Sequence, residues 1–436
     1  MTKRWKLRIT LALLCTIGAA HAELTIVITK GSDQAIPIAI VPFGWSGVGP
    51  LPFDVAQVVA ADLGRSGRFK PMDRQDMVSL PTRGEQIQFD DWRLLKSDFI
   101  VVGRLVTDAQ DRFAVEFELF NVLTGQRLHT DRIPATAAAL RAASHRVADA
   151  VFEKLTGVRG AFSTRIAYVS VDGRPPHQSY QLIIADADGA NVHVIAAGSE
   201  PIMSPAWSPD GTKLAYVSFE NRLPAIYSQE LRTGVRTRVS ARSGVNGAPS
   251  WSPDGRKLAL ALSRRDGNLD IYVLSLADQS LVRVTEDAAI DTEPAWSADG
   301  QSLYFTSDRA GGPQIYKVPA LAGAKVTRMT FDSSYNARPR VSPDERELAY
   351  VTLDNGGYRI GTLDLKSGVT RVLTSGTLDE SPSYAPNGVM LIYASQERGR
   401  GVLAIVSTDG KVRESLAADQ GEVREPAWGP FTGLQP

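Results

Sequence analysis

In the last two thirds of the chain, short apolar runs return at a near-constant interval. Ile166-Ala-Tyr-Val-Ser170, Leu214-Ala-Tyr-Val-Ser218, Leu258-Ala-Leu-Ala261, Leu303-Tyr-Phe-Thr-Ser307, Leu348-Ala-Tyr-Val-Thr352 and Leu391-Ile-Tyr-Ala-Ser395 read as six copies of one buried strand. Ahead of five of them stands a phrase built on proline and an aromatic or apolar residue: Pro205-Ala-Trp-Ser-Pro-Asp-Gly211, Pro249-Ser-Trp-Ser-Pro-Asp-Gly255, Pro294-Ala-Trp-Ser-Ala-Asp-Gly300, Pro339-Arg-Val-Ser-Pro-Asp344 and Pro382-Ser-Tyr-Ala-Pro-Asn-Gly388. The third position of the phrase falls at Trp207, Trp251, Trp296, Val341, Tyr384 and, in a last copy, Trp428, so the period is 44, 45, 45, 43 and 44 residues. That is the length of one four-stranded propeller blade.

The first strand, at Ile166, has no phrase before it, and the last phrase, Pro426-Ala-Trp-Gly-Pro430, has no strand after it. If Glu425-Pro-Ala-Trp428 supplies the innermost strand of the blade containing Ile166 to Ser170, six blades close into a ring with no open terminal edge. The Ser-Pro-Asp-Gly segments suit the turns between adjacent antiparallel strands: proline fits the second position of a type I turn, aspartate the third, and glycine the left-handed position that follows.

Before the repeats the pattern differs. Ile36-Pro-Ile-Ala-Ile-Val41 and Phe99-Ile-Val-Val-Gly103 are continuous apolar runs suited to buried strands, while Phe113-Ala-Val-Glu-Phe-Glu-Leu-Phe120 alternates as a half-buried strand does. Pro52 to Leu63 and Ala135 to Leu155 read as helices, the second starting after Pro134 and stopping at Thr156-Gly157. The expectation is an N-terminal α/β domain over residues 23–160, followed by a six-bladed β-propeller over 161–436 closed by the C-terminal strand.

Residues 1–22 read as a cleavable secretory signal: Lys3, Arg4, Lys6 and Arg8, an apolar run from Ile9 to Ala20, and the small-residue site Ala20-His21-Ala22, with cleavage between Ala22 and Glu23. The run is too short to span a bilayer. The only cysteine, Cys15, lies inside it, so the exported chain has no thiol, disulfide or thiolate metal site. Leu14 stands where lipoprotein processing needs a small residue before such a cysteine. Removing the four signal bases from 48 leaves 44 against 48 acidic residues, a formal charge of −4, which argues against a nucleic-acid partner. Export without disulfides suits a bacterial periplasm.

Catalytic patterns are weak. There is no Gly-x-Ser-x-Gly elbow, and His129, His145, His177 and His193 show no metal-binding spacing. Asp186-Ala-Asp-Gly189 opens like a calcium loop but lacks its later ligands, and Gly44-Trp-Ser-Gly-Val-Gly49 has no following Lys-Ser/Thr. The residue before each phrase proline stands where the chain enters the inner strand: Ser204, Ala248, Glu293, Arg338, Ser381 and Glu425 should ring one mouth of the channel, with Met203, Asn246, Asp291, Thr292, Asn336, Asp379, Glu380 and Arg424 just upstream. A ring so varied between equivalent positions suits an asymmetric partner, and neutral residues in half of it argue against a metal. The plain alternative is a set of solvated loop charges. A propeller enzyme with its site in the channel, a hydrolase or lyase, is the rival of another class, and it needs convergent His or carboxylate groups there.

The chain resembles the TolB family, periplasmic components of the Tol-Pal system of Gram-negative bacteria. The resemblance rests on Ile36-Pro-Ile-Ala-Ile-Val-Pro-Phe43, the proline-aromatic repeats, Asn246-Gly-Ala-Pro249, Thr292-Glu-Pro294, Thr306-Ser-Asp308, Leu378-Asp-Glu380, Ala385-Pro-Asn-Gly388 and Val406-Ser-Thr-Asp-Gly410. It implies a non-enzymatic adaptor without a cofactor, supporting outer-membrane integrity and envelope constriction at cell division. The mouth residues above would bind Pal, the peptidoglycan-associated lipoprotein, chiefly through the loops of Met203, Asn246, Ala248, Thr292 and Glu293. Val245 stands where family members can carry a histidine. Segment 23–34, with Glu23, Leu24, Thr25, Ile26, Val27 and Ile28 at its head, would dock TolA. Other outer-membrane proteins and imported toxins are further partners the resemblance suggests. The segment's alternating residues suit addition to a sheet edge; a first strand held permanently in the α/β sheet is the simpler reading.

Overall fold

The structure is a computed structural model that describes residues 24–30, 35–45, 47, 49–107, 112–263, 267–418 and 421–431. The signal segment, both residues of the cleavage pair Ala22 and Glu23, and residues 31–34 lie outside the described residues. No helix among the described residues is long and apolar enough to cross a membrane.

The N-terminal domain is a mixed sheet with helices on both faces. After strand β1 (Leu24–Lys30) come β2 (Ile36–Ile40), β3 (Gly44–Trp45), α1 (Val55–Arg65), β4 (Phe69–Pro71), α2 (Phe89–Leu94), β5 (Phe99–Thr107), β6 (Phe113–Asn121), β7 (Arg127–Ala135) and α3 (Leu140–Thr156). The sheet order is β4-β2-β5-β6-β7, with β3 also on β5. β2 runs parallel to β4 and β5, whereas β5-β6-β7 is an antiparallel meander. On one face α1 and α3 bury Val59, Leu63, Val147 and Phe152 against Ile38, Val101 and Phe117. On the other, Trp92 of α2 fills a second core with Val102 and Phe120.

Two helix boundaries differ from expectation. α1 begins at Val55, not Pro52, because Asp54 caps it by accepting from Gln57 N at 3.1 Å. α3 begins at Leu140, not after Pro134: β7 keeps its register on β6 as far as Ala135↔Phe113. A proline is compatible with that strand because β7 lies at the sheet edge, where no partner calls for its missing N–H. The expected stop holds, with Gly157 left-handed at φ 75°.

The propeller follows. β8 (Arg165–Asp172), β9 (Ser179–Asp186) and β10 (His193–Gly198) begin the first blade. β11 (Ile202–Trp207), β12 (Lys213–Ser218), β13 (Ala225–Glu230) and β14 (Arg236–Ser240) form the second, and β15 (Asn246–Trp251), β16 (Lys257–Ser263), β17 (Leu269–Ser275) and β18 (Leu281–Arg283) the third. The fourth is β19 (Asp291–Trp296), β20 (Ser302–Ser307), β21 (Gln314–Pro319) and β22 (Thr327–Arg328), and the fifth β23 (Asn336–Val341), β24 (Glu347–Asp354), β25 (Gly357–Asp364) and β26 (Thr370–Val372). β27 (Glu380–Tyr384), β28 (Met390–Glu397), β29 (Arg400–Ser407) and β30 (Arg413–Ala418) make the sixth. The final strand, β31 (Glu422–Trp428), returns to β8 with Trp428 opposite Ile166, so the ring closes as six blades.

Two devices repeat. Ser208 Oγ bonds Asp210 Oδ1 at 2.5 Å and accepts from Lys213 N at 2.9 Å while Gly211 turns left-handed at φ 68°, and Ser252-Asp254 and Ser297-Asp299 do the same. The phrase tryptophans tie blade to blade. Trp251 Nε1 donates to Ala206 O at 3.1 Å, Trp296 Nε1 to Ser250 O at 3.1 Å, and Trp207 Nε1 to Ala427 O at 3.0 Å across the closure.

β1 does not join the α/β sheet, the simpler reading of its sequence. It pairs antiparallel with β30, with Leu24 opposite Ala418 and Ile28 opposite Glu414, as a fifth strand on the outside of the sixth blade.

Candidate functional site

The residues before the six phrase prolines share a backbone conformation. Ser204, Ala248, Glu293, Arg338, Ser381 and Glu425 all have positive φ, between 46° and 56°. Such a conformation costs an L-residue roughly 1–2 kcal/mol and opposes the usual preference of a residue before proline for extended backbone. At each of them the ladder to the next strand skips register, a β-bulge. Because proline has no N–H, the break strands no donor at the proline itself. All six residues line one channel cavity of about 230 Å³, with Arg340, Ser383 and the phrase tryptophans Trp207, Trp251 and Trp428 also in its wall.

The ring is braced from blade to blade. Glu293 accepts from Arg338 Nε at 2.9 Å, from Arg338 N at 3.0 Å and from Thr306 Oγ1 at 2.9 Å, and Arg338 also bonds Ser381 Oγ. The Glu425 carboxylate takes the backbone N–H of Ser204 across the closure. Burial opposes the charge on Arg338, but Glu293, Glu425 and Glu380 raise its pKa further above the ordinary value. Arg340, enclosed deeper, has its pKa lowered by burial. The ring holds one paired arginine between two carboxylates, with no histidine, and its acidic groups are occupied in holding the backbone.

Upstream, four expected mouth residues turn inward. Asn246, Asp291, Asn336 and Asp379 are buried. Asn246 accepts from Ser240 Oγ at 2.7 Å and donates to Arg242 O at 2.7 Å. Arg309 Nη2 donates to both carboxylate oxygens of Asp291, each at 2.9 Å. Asn336 donates to Gln314 Oε1 at 3.0 Å, and Asp379 accepts from Ser395 Oγ at 2.6 Å and Gly376 N at 3.0 Å. Their side chains set the loop shapes and are not offered to solvent. Met203, Thr292 and Glu380 are half-buried on the rim, and Arg424 lies over the Tyr180 ring at 5.8 Å.

The rim also carries exposed apolar residues. Three positions before the ring residue stand Val245, Ile290 and Leu378, exposed by 44%, 48% and 40%. The equivalent Tyr335 stacks edge-on against Tyr358 at 5.0 Å. Only Val245 was singled out from sequence. The signal that finds the others is an apolar residue held at one offset from a repeated proline, where a soluble rim has no folding need for it.

β1 is the second candidate. The backbone of Leu24, Thr25, Ile26, Val27 and Ile28 is strand, paired on one side only.

Comparison with known proteins agrees with this architecture. Residues 24–128 match the family described as TolB amino-terminal domain, and residues 152–432 the TolB beta propeller domain. The chain is 53% identical over 428 residues to the Tol-Pal system protein TolB of Thioalkalivibrio sulfidiphilus, covering 98% of each chain. It is 54% identical over 422 residues to that of Nitrosococcus oceani, covering 96% of each. The crystal structure of TolB from Acinetobacter baumannii superposes with a TM-score of 0.87 at 42% identity, over 94% of this chain and 100% of that one.

Proposed function

The chain belongs to the TolB family, and from that premise we propose that it is a non-enzymatic periplasmic adaptor of the Tol-Pal system. Exported by cleavage between Ala22 and Glu23, it binds Pal on the propeller mouth and TolA through its N-terminal segment. It thereby links an inner-membrane complex to the outer membrane, supporting envelope integrity and constriction during division.

The observation that carries the reading is the asymmetric rim. Exposed Val245, Ile290 and Leu378 surround a channel whose charged residues are already braced by one another. A partner can bury those apolar side chains without having to satisfy an unpaired charge, the composition of a binding hot spot with a polar surround. Inward-facing Asn246, Asp291, Asn336 and Asp379 contribute by fixing the loops, whereas Met203, Thr292, Ala248 and Glu380 offer contact surface. For catalysis the ring supplies no general base, because Glu293 and Glu425 are engaged with backbone N–H groups.

Calorimetric titration of residues 23–436 with the soluble domain of Pal tests the reading. Saturable binding is expected, weakened about tenfold or more by Val245→Asp or Ile290→Asp, since a charge buried there finds no partner. Absence of binding by the unsubstituted protein withdraws the assignment. TolA docking is tested in the same way with residues 23–34 removed. The two sites couple only if Pal binds the seated and released forms of the segment with different affinity, so equal TolA affinity with and without saturating Pal would mean no coupling.

A further inference from the structure

The seam between the two domains contains a buried network of ionisable side chains that the adaptor reading leaves without a role. Asp62 on α1 accepts from Arg65 Nη2 at 2.7 Å and meets His145 Nδ1 on α3 at 2.6 Å. His145 Nε2 lies 3.5 Å from Asp188, in the turn after β9, and Arg141 of α3 pairs with the same carboxylate. Asp62, His145 and Asp188 could bring ligand atoms together, but both carboxylates are neutralised by arginines, and the trio works as an internal charge network.

Glu414 stands beside this network on β30. It is 1% exposed, and its Oε2 makes no hydrogen bond among the described residues. The charged groups facing it are Asp62 and Arg65 of α1, with His145 and Asp188 behind them. Further along the seam are Arg68 after α1 and Asp409 in the hairpin before β30. On its β29 side the cross-strand residue is Ile405, and on its β1 side Ile28. The packing is tight: Gly67, left-handed at φ 64°, approaches Val412 so closely that a Cβ would lie 1.9 Å from Val412 Cγ2.

We propose that the protonation state of the Glu414 carboxyl sets how firmly segment Leu24–Lys30 is seated on the propeller. Neutral Glu414 suits its buried place beside Asp62 and Arg65 at the end of α1. Ionised, it faces the Asp62 carboxylate, and Arg65 is already committed to Asp62, so the charge is relieved only by admitting water or moving β30 outward. Among the described residues β1 pairs with no strand but β30, and its register on that strand already breaks between Ile28 and Lys30, beside Glu414. A one-sided edge strand is the element such a displacement releases first. Burial pushes the carboxyl up to about 7, with Arg65 opposing and Asp62 adding, which puts the change near neutral pH. The inference rests on reading the segment as releasable.

The test uses residues 23–436, which contain no cysteine, with Thr25→Cys carrying a fluorophore, and reads its anisotropy between about pH 5.5 and about pH 8.5. Anisotropy should be high in acid and fall through neutrality, whereas in the Glu414→Gln background it should stay high throughout. A wild-type signal that stays high at every pH overturns both the inference and the releasable-segment reading. A fall of equal size and midpoint in Glu414→Gln overturns the assignment to Glu414 and leaves the segment releasable. Circular dichroism checks that Glu414→Gln is folded; if it is not, Glu414→Ala and Glu414→Leu take its place, and a neutral fall that persists in a folded variant of either kind overturns the assignment to Glu414.

Discussion

Trp296 shows how one side chain serves both core and ring. Its indole is buried, and Nε1 crosses to Ser250 O of the preceding blade at 3.1 Å. Trp296→Phe keeps most of the volume and removes the donor, so it should cost about 0.5–1.5 kcal/mol, whereas Trp296→Ala should cost roughly 3–5 kcal/mol by opening a cavity between blades. Urea denaturation of the two variants checks the order. Val341 occupies the equivalent place one blade on, so closure requires apolar volume there more than it requires the indole bond. At this scale the ring was legible in the sequence because a proline marks each position, but the positive φ of Ser204 or Glu425 was not, since nothing in their identity demands it. Asn246 and Asp379 read as rim groups because they are polar and adjacent to the ring. Their burial comes with the loops they hold, since Asn246 bonds Ser240 and the Arg242 carbonyl and Asp379 bonds Ser395 and the Gly376 N–H, and residue type alone does not announce those partners.

Between elements, the two seams of the molecule respond to different changes. β31 is the only strand that joins the end of the chain to the first blade, so deleting residues after Gly421 exposes the edge of β8 and removes Trp428 with its bond to Thr164 Oγ1 at 2.8 Å. That deletion should lower the melting temperature of the whole ring, because neither the first nor the sixth blade keeps its closing partner; a truncated chain that melts like the full one contradicts the closure. Gly67→Ala acts at the other seam. It adds a methyl where Val412 already fills the space and places an L-residue at φ 64°, which by itself costs roughly 1 kcal/mol or more. Differential scanning calorimetry should show the loss, and the propeller-facing end of α1 should gain hydrogen exchange. The blades were readable because their repeat is local and self-consistent. α2 and the start of α3 were not, since α2 is only one and a half turns around Trp92 and the β7 edge strand tolerates Pro134. The seat of β1 could not be read either, because alternation specifies an edge strand without naming the edge it joins.

The whole molecule brings two domains together over a buried charge network, in which His145 and Glu414 titrate with the same sign. Burial alone would lower the His145 pKa, but the charge and hydrogen bond of Asp62, with Asp188 behind, raise it above 6.5. Its stabilisation is complete below 6.5 and is lost as pH climbs through the raised value. The Glu414 carboxyl, ordinarily at 4.5, is pushed to about 7, so the folded state holds a proton there that the unfolded chain gives up. Stability therefore declines as pH rises from 4.5 and stops declining from this source above about 7. Asp188 works in the opposite sense, since Arg65, His145 and Arg141 outweigh its burial and hold it below 3.8, so its contribution is lost only in strong acid. Between mild acid and mild base the melting temperature should accordingly fall as pH rises, with Glu414→Gln flattening the acid-to-neutral part and leaving the share of His145. A melting temperature that instead rises across this range would mean that the network is not buried in the folded protein, and that the two domains do not meet over Asp62, His145 and Glu414 in solution.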